Sequence, residues 1–327
     1  MEKQYRIKNL KSQKNKYILY YNRIAQYMSR LVTKEDVQIY KGKYYLPWFK
    51  KDEVVHFSVP KKVVVLDLDE TLGSFADLYI IWCGIQHAWP SCNYFEELLE
   101  AYPEFLRYGI LTILEYLYQK KRKKECYKLF IYTNNQCSSN WVHMITNYLE
   151  KKVIPLEKRH KHNLFDKIIC AFKINNKTIE PERTGHSKKM DDFLRCSIVS
   201  ESADICFIDD AHYPAMKGAK VYYICPRPYI HALSTHTIIS RLLSFKWMRR
   251  GLLTTKHFWR DWFYINNKKY VRHGKSDIEM DLQISQKIIY HLQEFMMFGM
   301  YKQMDFIKRK TKRVTSRHTL RKTKKMH

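Results

Sequence analysis

Four aspartates stand where they could do chemistry together. Asp67 and Asp69 close the segment Val63-Val64-Val65-Leu66-Asp67-Leu68-Asp69-Glu70-Thr71, and Asp209 and Asp210 follow the apolar run Ile205 to Ile208. Clustered carboxylates repel one another unless a cation sits among them. Hard oxygen donors with few protein contacts suit Mg2+, which keeps several waters and takes its other ligands from carboxylate and phosphate. The same groups meet the needs of phosphoryl transfer: an in-line nucleophile, a proton donor for the leaving oxygen, and positive charge on the equatorial oxygens. Asp67 could attack phosphorus and form an aspartyl-phosphate. Asp69, two residues on, could protonate the leaving alcohol and then activate water. Thr133 and nearby backbone N–H groups could hold phosphate oxygens while Lys188 neutralises their charge. Asp209 and Asp210 would hold the metal.

These residues must be delivered by elements that the pattern also predicts. After Pro60 come four- to six-residue apolar runs: Val63 to Leu66, Lys128 to Tyr132, Lys167 to Phe172, Ile205 to Ile208 and Val221 to Ile224. Such runs suit strands buried on both faces of a parallel sheet. Amphipathic stretches at 107–120 and 140–149 separate them, the second behind Ser138 or Ser139 as N-cap. Strand and helix in alternation predict a doubly wound α/β core over 60–245, with a mainly parallel sheet and helices on both faces. In such sheets ligands bind at the carboxyl ends of strands. The first run ends in Asp67 and Asp69, the second in Thr133, Asn134 and Asn135, and the fourth in Asp209 and Asp210. Residues 1–59 read as an N-terminal extension with a helix near 17–31. Residues 246–307 read as a helical, aromatic C-terminal extension, with a helix at 281–300.

The motifs together resemble the haloacid-dehalogenase (HAD) superfamily. Asp67-Leu68-Asp69-Glu70-Thr71 is similar to its first motif, Thr133 after Ile131-Tyr132 to its second, and Phe207-Ile208-Asp209-Asp210 to its fourth. For the third-motif lysine, Lys188 is preferred over Lys189, because Lys188-Lys189-Met190-Asp191-Asp192 resembles the form found in the FCP/SCP-type carboxy-terminal-domain phosphatases. The resemblance implies a Rossmann-like fold, Mg2+, Asp67 as nucleophile and Asp69 as acid/base. It implies a metal held by the Asp67 carboxylate, the Asp69 main-chain carbonyl, Asp209 and Asp210. It also assigns phosphate binding to Thr71, Thr133, Asn134 and Lys188. The 66 residues from Asp67 to Thr133 and the 55 from there to Lys188 leave no room for a large cap. Much of the 66 is accounted for by the helix at 107–120 and by the stretch with Tyr79, Trp82 and Trp89, which reads either as a flap that shapes a substrate groove or as residues packed against the core. An uncapped site implies a macromolecular substrate, first a phosphoprotein at Ser or Thr. A polynucleotide 3′-phosphate is the alternative, and a non-catalytic adaptor on the same fold is a third reading.

Composition sets the remaining bounds. The 327 residues carry 59 Lys plus Arg against 32 Asp plus Glu, a formal charge of +27, and 45% hydrophobic residues afford a full core. An AT-rich coding sequence alone would raise Lys, so charge in the body of the chain does not identify a partner. The segment 308–327 holds ten Lys or Arg and no acid, and reads as a disordered basic tail that could dock on nucleic acid or an acidic partner. Apolar stretches are too short to span a membrane, and no signal peptide is visible, so an intracellular protein is expected. The eight cysteines form no C-x-x-C pair and read as reduced core residues. His160 and His162 read as part of a solvated loop, and Phe258 to Tyr264 as a buried helix or strand face.

Overall fold

The computed structural model describes residues 33, 35–46, 61–248, 251–267 and 277–298. The expected helix at 17–31 and the basic tail 308–327 lie outside them. Eight strands are described: β1 (Val37–Lys41), β2 (Lys62–Leu66), β3 (Lys128–Tyr132), β4 (Lys167–Ile169), β5 (Lys173–Ile174), β6 (Lys177–Thr178), β7 (Asp204–Ile208) and β8 (Val221–Pro226). Six of them form one sheet in the order β1-β8-β7-β2-β3-β4. Every neighbouring pair is parallel except β1 with β8. The fold is therefore α/β with a mainly parallel sheet.

Every residue of β2 is buried. Val64 and Leu66 enter one apolar cluster and Val63 and Val65 another, because successive side chains leave opposite faces of a strand. That explains why β2 reads as an unbroken apolar run rather than an alternating one. The third predicted run is shorter than its apolar length. β4 stops at Ile169, and the next carbonyl, that of Cys170, accepts from the buried Arg183 (2.7 Å). The chain then forms the small β5-β6 ribbon, whose turn residues Asn175 and Asn176 both have positive φ.

Helices cover both faces unequally. In chain order they are α1 (Ala76–Ala88), α2 (Phe95–Ala101), α3 (Ile110–Arg122), α4 (Ser139–Val153), α5 (Met190–Ser197), α6 (Thr235–Ser244), α7 (Lys256–Asn267) and α8 (278–298). Among the described helices, α5 alone contributes to the smaller cluster, through Phe193 and Cys196; the rest feed the larger one. This asymmetry follows from topology. The chain travels one way from β2 to β3 and β4, then reverses to β7 and β8, and right-handed crossovers place a reversed connection on the opposite face. Of the two N-cap candidates for α4, Ser138 is the one whose hydroxyl accepts from Trp141 N.

Of the two readings of the segment between the first aspartates and α3, the structure shows packing against the core, with Tyr79, Trp82 and Trp89 set against the larger cluster. The segment forms α1 and α2, with Tyr79 edge-on to Trp141 and Trp82 edge-on to Phe95. The core also extends past both boundaries drawn from sequence. β1 adds a sixth strand, while Trp259, Phe263, Ile284, Leu292 and Phe295 join the larger cluster. Phe258 to Tyr264 is helical: Trp259 and Phe263 face inward, Trp262 donates to the Ile80 carbonyl (2.8 Å), and Tyr264 is exposed. Among the described residues no helix is long and apolar enough to cross a membrane.

Lys62 ties α8 to the sheet. Its buried ammonium donates to the carbonyls of Phe295 and Met296 (2.6 Å to the latter). Burial lowers its pKa to about 8, against the opposing pull of Asp204. Below that value both folded and unfolded states carry the proton, and the cost of the buried charge is fully present. Above it the folded state has lost a proton that the unfolded chain keeps, so stability rises with pH. Relative to a Lys62→Met variant, the wild type should gain about 2 kcal/mol of unfolding free energy from about pH 7.5 to about pH 9.5. Urea denaturation at the two pH values measures this; a constant difference between the proteins would rule it out.

Candidate active site

The sheet reverses its winding at β2, which lies between β3 and β7. A crevice opens at the carboxyl ends of strands where successive connections diverge. Asp67 leaves β2 there and Asp209 leaves β7. Their backbones still follow the ladder: Asp67 N donates to the Ile208 carbonyl (2.9 Å) and Asp209 N to that of Ile224 (3.2 Å). The two carboxylates are thereby held side by side.

Between them lies Lys188. It is 1% exposed, and its ammonium bonds both Asp67 Oδ1 and Asp209 Oδ2 (2.6 Å to the latter). Lys189 is exposed, caps the start of α5, and turns its ammonium to Thr184 Oγ1 (3.2 Å). The alternation of an extended backbone sends the two lysines opposite ways, and only Lys188 reaches the aspartates. Asp210 completes the group: one carboxylate oxygen each from Asp67, Asp209 and Asp210 lies within 4.8 Å of the others. This buried triad could hold a metal ion.

The turn after Asp67 positions the rest. Thr71 N donates to the Asp69 carbonyl (2.6 Å), and Glu70 N to that of Gly73 (2.8 Å), with Glu70 in the left-handed region at φ 56°. Gly73 is required by close approach, since a Cβ there would lie 2.4 Å from the Phe105 carbonyl oxygen. Arg107, buried, locks the turn from outside. Its Nε donates to the Thr71 carbonyl (2.7 Å), and its Nη2 to the carbonyls of Glu70 (2.6 Å) and Arg227 (2.8 Å). The Thr71 hydroxyl donates to Asp210 Oδ1 (2.6 Å) and accepts from Asp210 N (3.0 Å). Thr71 thus orients a carboxylate of the triad, with its hydroxyl engaged in both directions.

The loop after β3 supplies the opposite wall. Thr133 is buried, and its hydroxyl accepts from Asn135 N (3.0 Å). Asn135 Nδ2 donates to Asp69 Oδ2 (2.8 Å), while Asn135 Oδ1 accepts from Cys137 N (2.9 Å). Asp69 therefore turns its side chain to Asn135 and stands outside the triad. Asn134 is held between Arg183 Nη2, which donates to its Oδ1 (2.6 Å), and the Tyr213 hydroxyl, which accepts from its Nδ2 (3.1 Å).

Four acids surround one buried ammonium, and the titration of the site reflects the imbalance. Burial raises Asp69 to about 7, the Asp67 charge adding to it and the Asn135 hydrogen bond opposing it. Burial and the charge of Asp67 also push Asp209 and Asp210 upward. For Lys188, burial disfavours the charge, but Asp67 and Asp209 outweigh it and raise the pKa. The charge of Arg107 opposes the rise at Asp210 without cancelling it, while the described hydrogen bonds of Arg107 and Arg183 run to carbonyls and to Asn134. A donor set of carboxylate oxygens in excess of cations fits a hard divalent cation such as Mg2+.

Sequence reasoning gathered Asp67, Asp69, Thr133, Asn134, Lys188, Asp209 and Asp210 at one edge, and the structure places them there. The same reading set Asn135 at this edge but gave it no role, and the structure bonds it to Asp69. That reading also gave no role to Arg183 or Tyr213, which no short-range pattern links to the aspartates. His160 and His162 are exposed and take no part in the triad. Fold and site define an α/β protein with a buried acidic cluster, able in geometry to hold a metal ion, at the switch point of a mainly parallel sheet. Compared with family models, curated proteins and solved structures, the chain matches none.

If Asp210 binds the cation, its orienting hydroxyl matters. Thr71→Val should weaken Mg2+ binding by about ten- to hundredfold, the range for partners that orient a metal ligand. Titration calorimetry reads this directly, and unchanged affinity would remove Asp210 from the ligand set.

Proposed function

We propose that the chain is a Mg2+-dependent phosphatase of the HAD type, acting through an aspartyl-phosphate on a phosphoprotein, at Ser or Thr. The observation that carries this reading is the pairing of Asp67 with the buried Lys188, two residues from an Asp69 raised to about 7. Nucleophile, cation and proton donor are the three parts that phosphoryl transfer needs.

In this mechanism an Asp67 carboxylate oxygen attacks phosphorus in line with the leaving alkoxide. Asp69, carrying a proton near neutral pH, gives it to the leaving oxygen and then takes one from the water that hydrolyses the aspartyl-phosphate. Asn135 holds Asp69 in place for both steps. Lys188 offsets charge on the phosphoryl oxygens while bonded to Asp67, and backbone N–H groups near Thr133 supply further donors. Asp67, Asp209 and Asp210, with the Asp69 carbonyl, would hold Mg2+, which supplies further charge neutralisation when bound. The described segments between the motifs also favour a large substrate. α1, α2 and α3 bury their apolar residues in the sheet's core cluster, which supports an uncapped edge.

Hydrolysis of p-nitrophenyl phosphate with Mg2+ tests the reading. Asp67→Asn should abolish turnover, and Asp69→Asn should lower it by roughly 10²- to 10⁴-fold, the usual contribution of general acid–base catalysis. Equal rates in wild type and Asp67→Asn, or no turnover with any divalent metal, would overturn it in favour of a non-catalytic adaptor. A phospho-Ser peptide should then be hydrolysed in preference to a 3′-phosphorylated oligonucleotide; the reverse order would make the protein a polynucleotide 3′-phosphatase.

A further inference from the structure

Tyr213 is a group the mechanism has not used. It follows Asp210 by three residues and is half-buried, with the Lys188 ammonium 5.3 Å from its ring centroid. Its backbone is fixed, since Tyr213 N donates to the Tyr223 hydroxyl (3.2 Å), which in turn donates to the Ala211 carbonyl. Asn134 follows β3 and Tyr213 follows β7, the two strands that flank β2. The bond between them therefore spans the carboxyl end of β2, where Asp67 stands.

The direction of each hydrogen bond in this bridge can be assigned. A guanidinium only donates, so the Asn134 atom facing Arg183 Nη2 (2.6 Å) is the amide oxygen. The atom facing Tyr213 is then the NH2 group, and the phenol oxygen accepts from it (3.1 Å). Arg183 is itself immobilised, 2% exposed, with Nη1 on the carbonyls of Thr133 (3.0 Å) and Cys170 (2.7 Å). The chain runs one way, from guanidinium to amide to phenol, and each donor strengthens the next. With the phenol oxygen already accepting, its own proton remains to be donated, and among the described residues it has no acceptor.

We propose that Tyr213 is a phosphate-binding residue, its hydroxyl proton donated to an oxygen of a phosphoryl group seated against the Asp67–Lys188 pair. This rests on the phosphatase reading for what the site binds, but not on turnover. A neutral donor at this place complements Lys188. It adds a directional hydrogen bond to the oxyanion without adding another charge for the carboxylates to attract.

The test uses the full chain with Mg2+ and inorganic phosphate as the probe, by titration calorimetry. Tyr213→Phe keeps the ring beside Lys188 and removes only the hydroxyl. It should bind phosphate about ten- to hundredfold more weakly, the range for a lost hydrogen bond to a charged group, with a similar fall in kcat/KM for p-nitrophenyl phosphate. Unchanged phosphate affinity overturns the proposal. If wild type turns over and Asp67→Asn does not, that failure leaves the phosphatase reading intact. If wild type binds phosphate without turnover, the phosphatase reading falls and the affinity ratio still decides the role of Tyr213. No phosphate binding by wild type overturns both. Should Tyr213→Phe fail to melt cooperatively, Tyr213→3-fluorotyrosine replaces it. Its more acidic phenol should bind phosphate more tightly than wild type, and equal or weaker binding overturns the proposal.

Discussion

One buried ammonium holds the acidic edge of the sheet together. Lys188 joins the ends of β2 and β7 by bonding Asp67 and Asp209, and it draws the chain before α5 down onto the sheet. Taking charges out of water is costly, and breaking a buried pair by removing one partner costs about 3–5 kcal/mol because the other charge is left unpaired. Here the cost would be larger in kind, since Lys188 faces two carboxylates while Asp69 and Asp210 stand close by. The edge folds around that one cation and still carries acid in excess. Stability and the capacity to accept a divalent ion thus come from the same arrangement.

The two buried arginines show how the rest of the edge is made rigid without hydrogen bonds to its carboxylates. Arg107 pins the turn of Glu70 and Thr71, and Arg183 pins the carbonyls after β3 and β4. Both are aimed at backbone carbonyls, in loops that have left the sheet ladder and need donors. Burial lowers Arg107 to about 10, so it stays charged at neutral pH. Loops are usually the mobile part of an α/β fold. Here a planar, five-donor side chain on each wall fixes them.

The legible part of the site is the part encoded by strand ends. Apolar runs that stop in Asp67, Thr133 and Asp209 announce both the strand and the residue it presents, because side chain and strand share one local pattern. The closing helix boundaries were less legible: α3 starts at Ile110 rather than 107, since Arg107 is drawn into the turn and Gly109 sits at φ 81° ahead of the helix. Residues 246–307 read as an extension because the pattern there shares no motif with the sheet. The burial of α7 and α8 in the same cluster depends on contacts with residues some 180 positions away, as between Trp262 and Ile80.

By itself, the sequence determined the α/β class, the parallel core strands and the acids at their ends. Those follow from hydrophobic period and from the rule that strand ends face the ligand, both of which act over a few residues. Tertiary structure alone decided that Thr71 serves Asp210, that Asn135 holds Asp69, and that Arg183 and Tyr213 belong to the site, and it set Lys188, the lysine preferred from sequence, against the aspartates. Each of those choices turns on which way one side chain points across 21 to 139 residues of chain, and hydrogen bonds of that reach are set by packing.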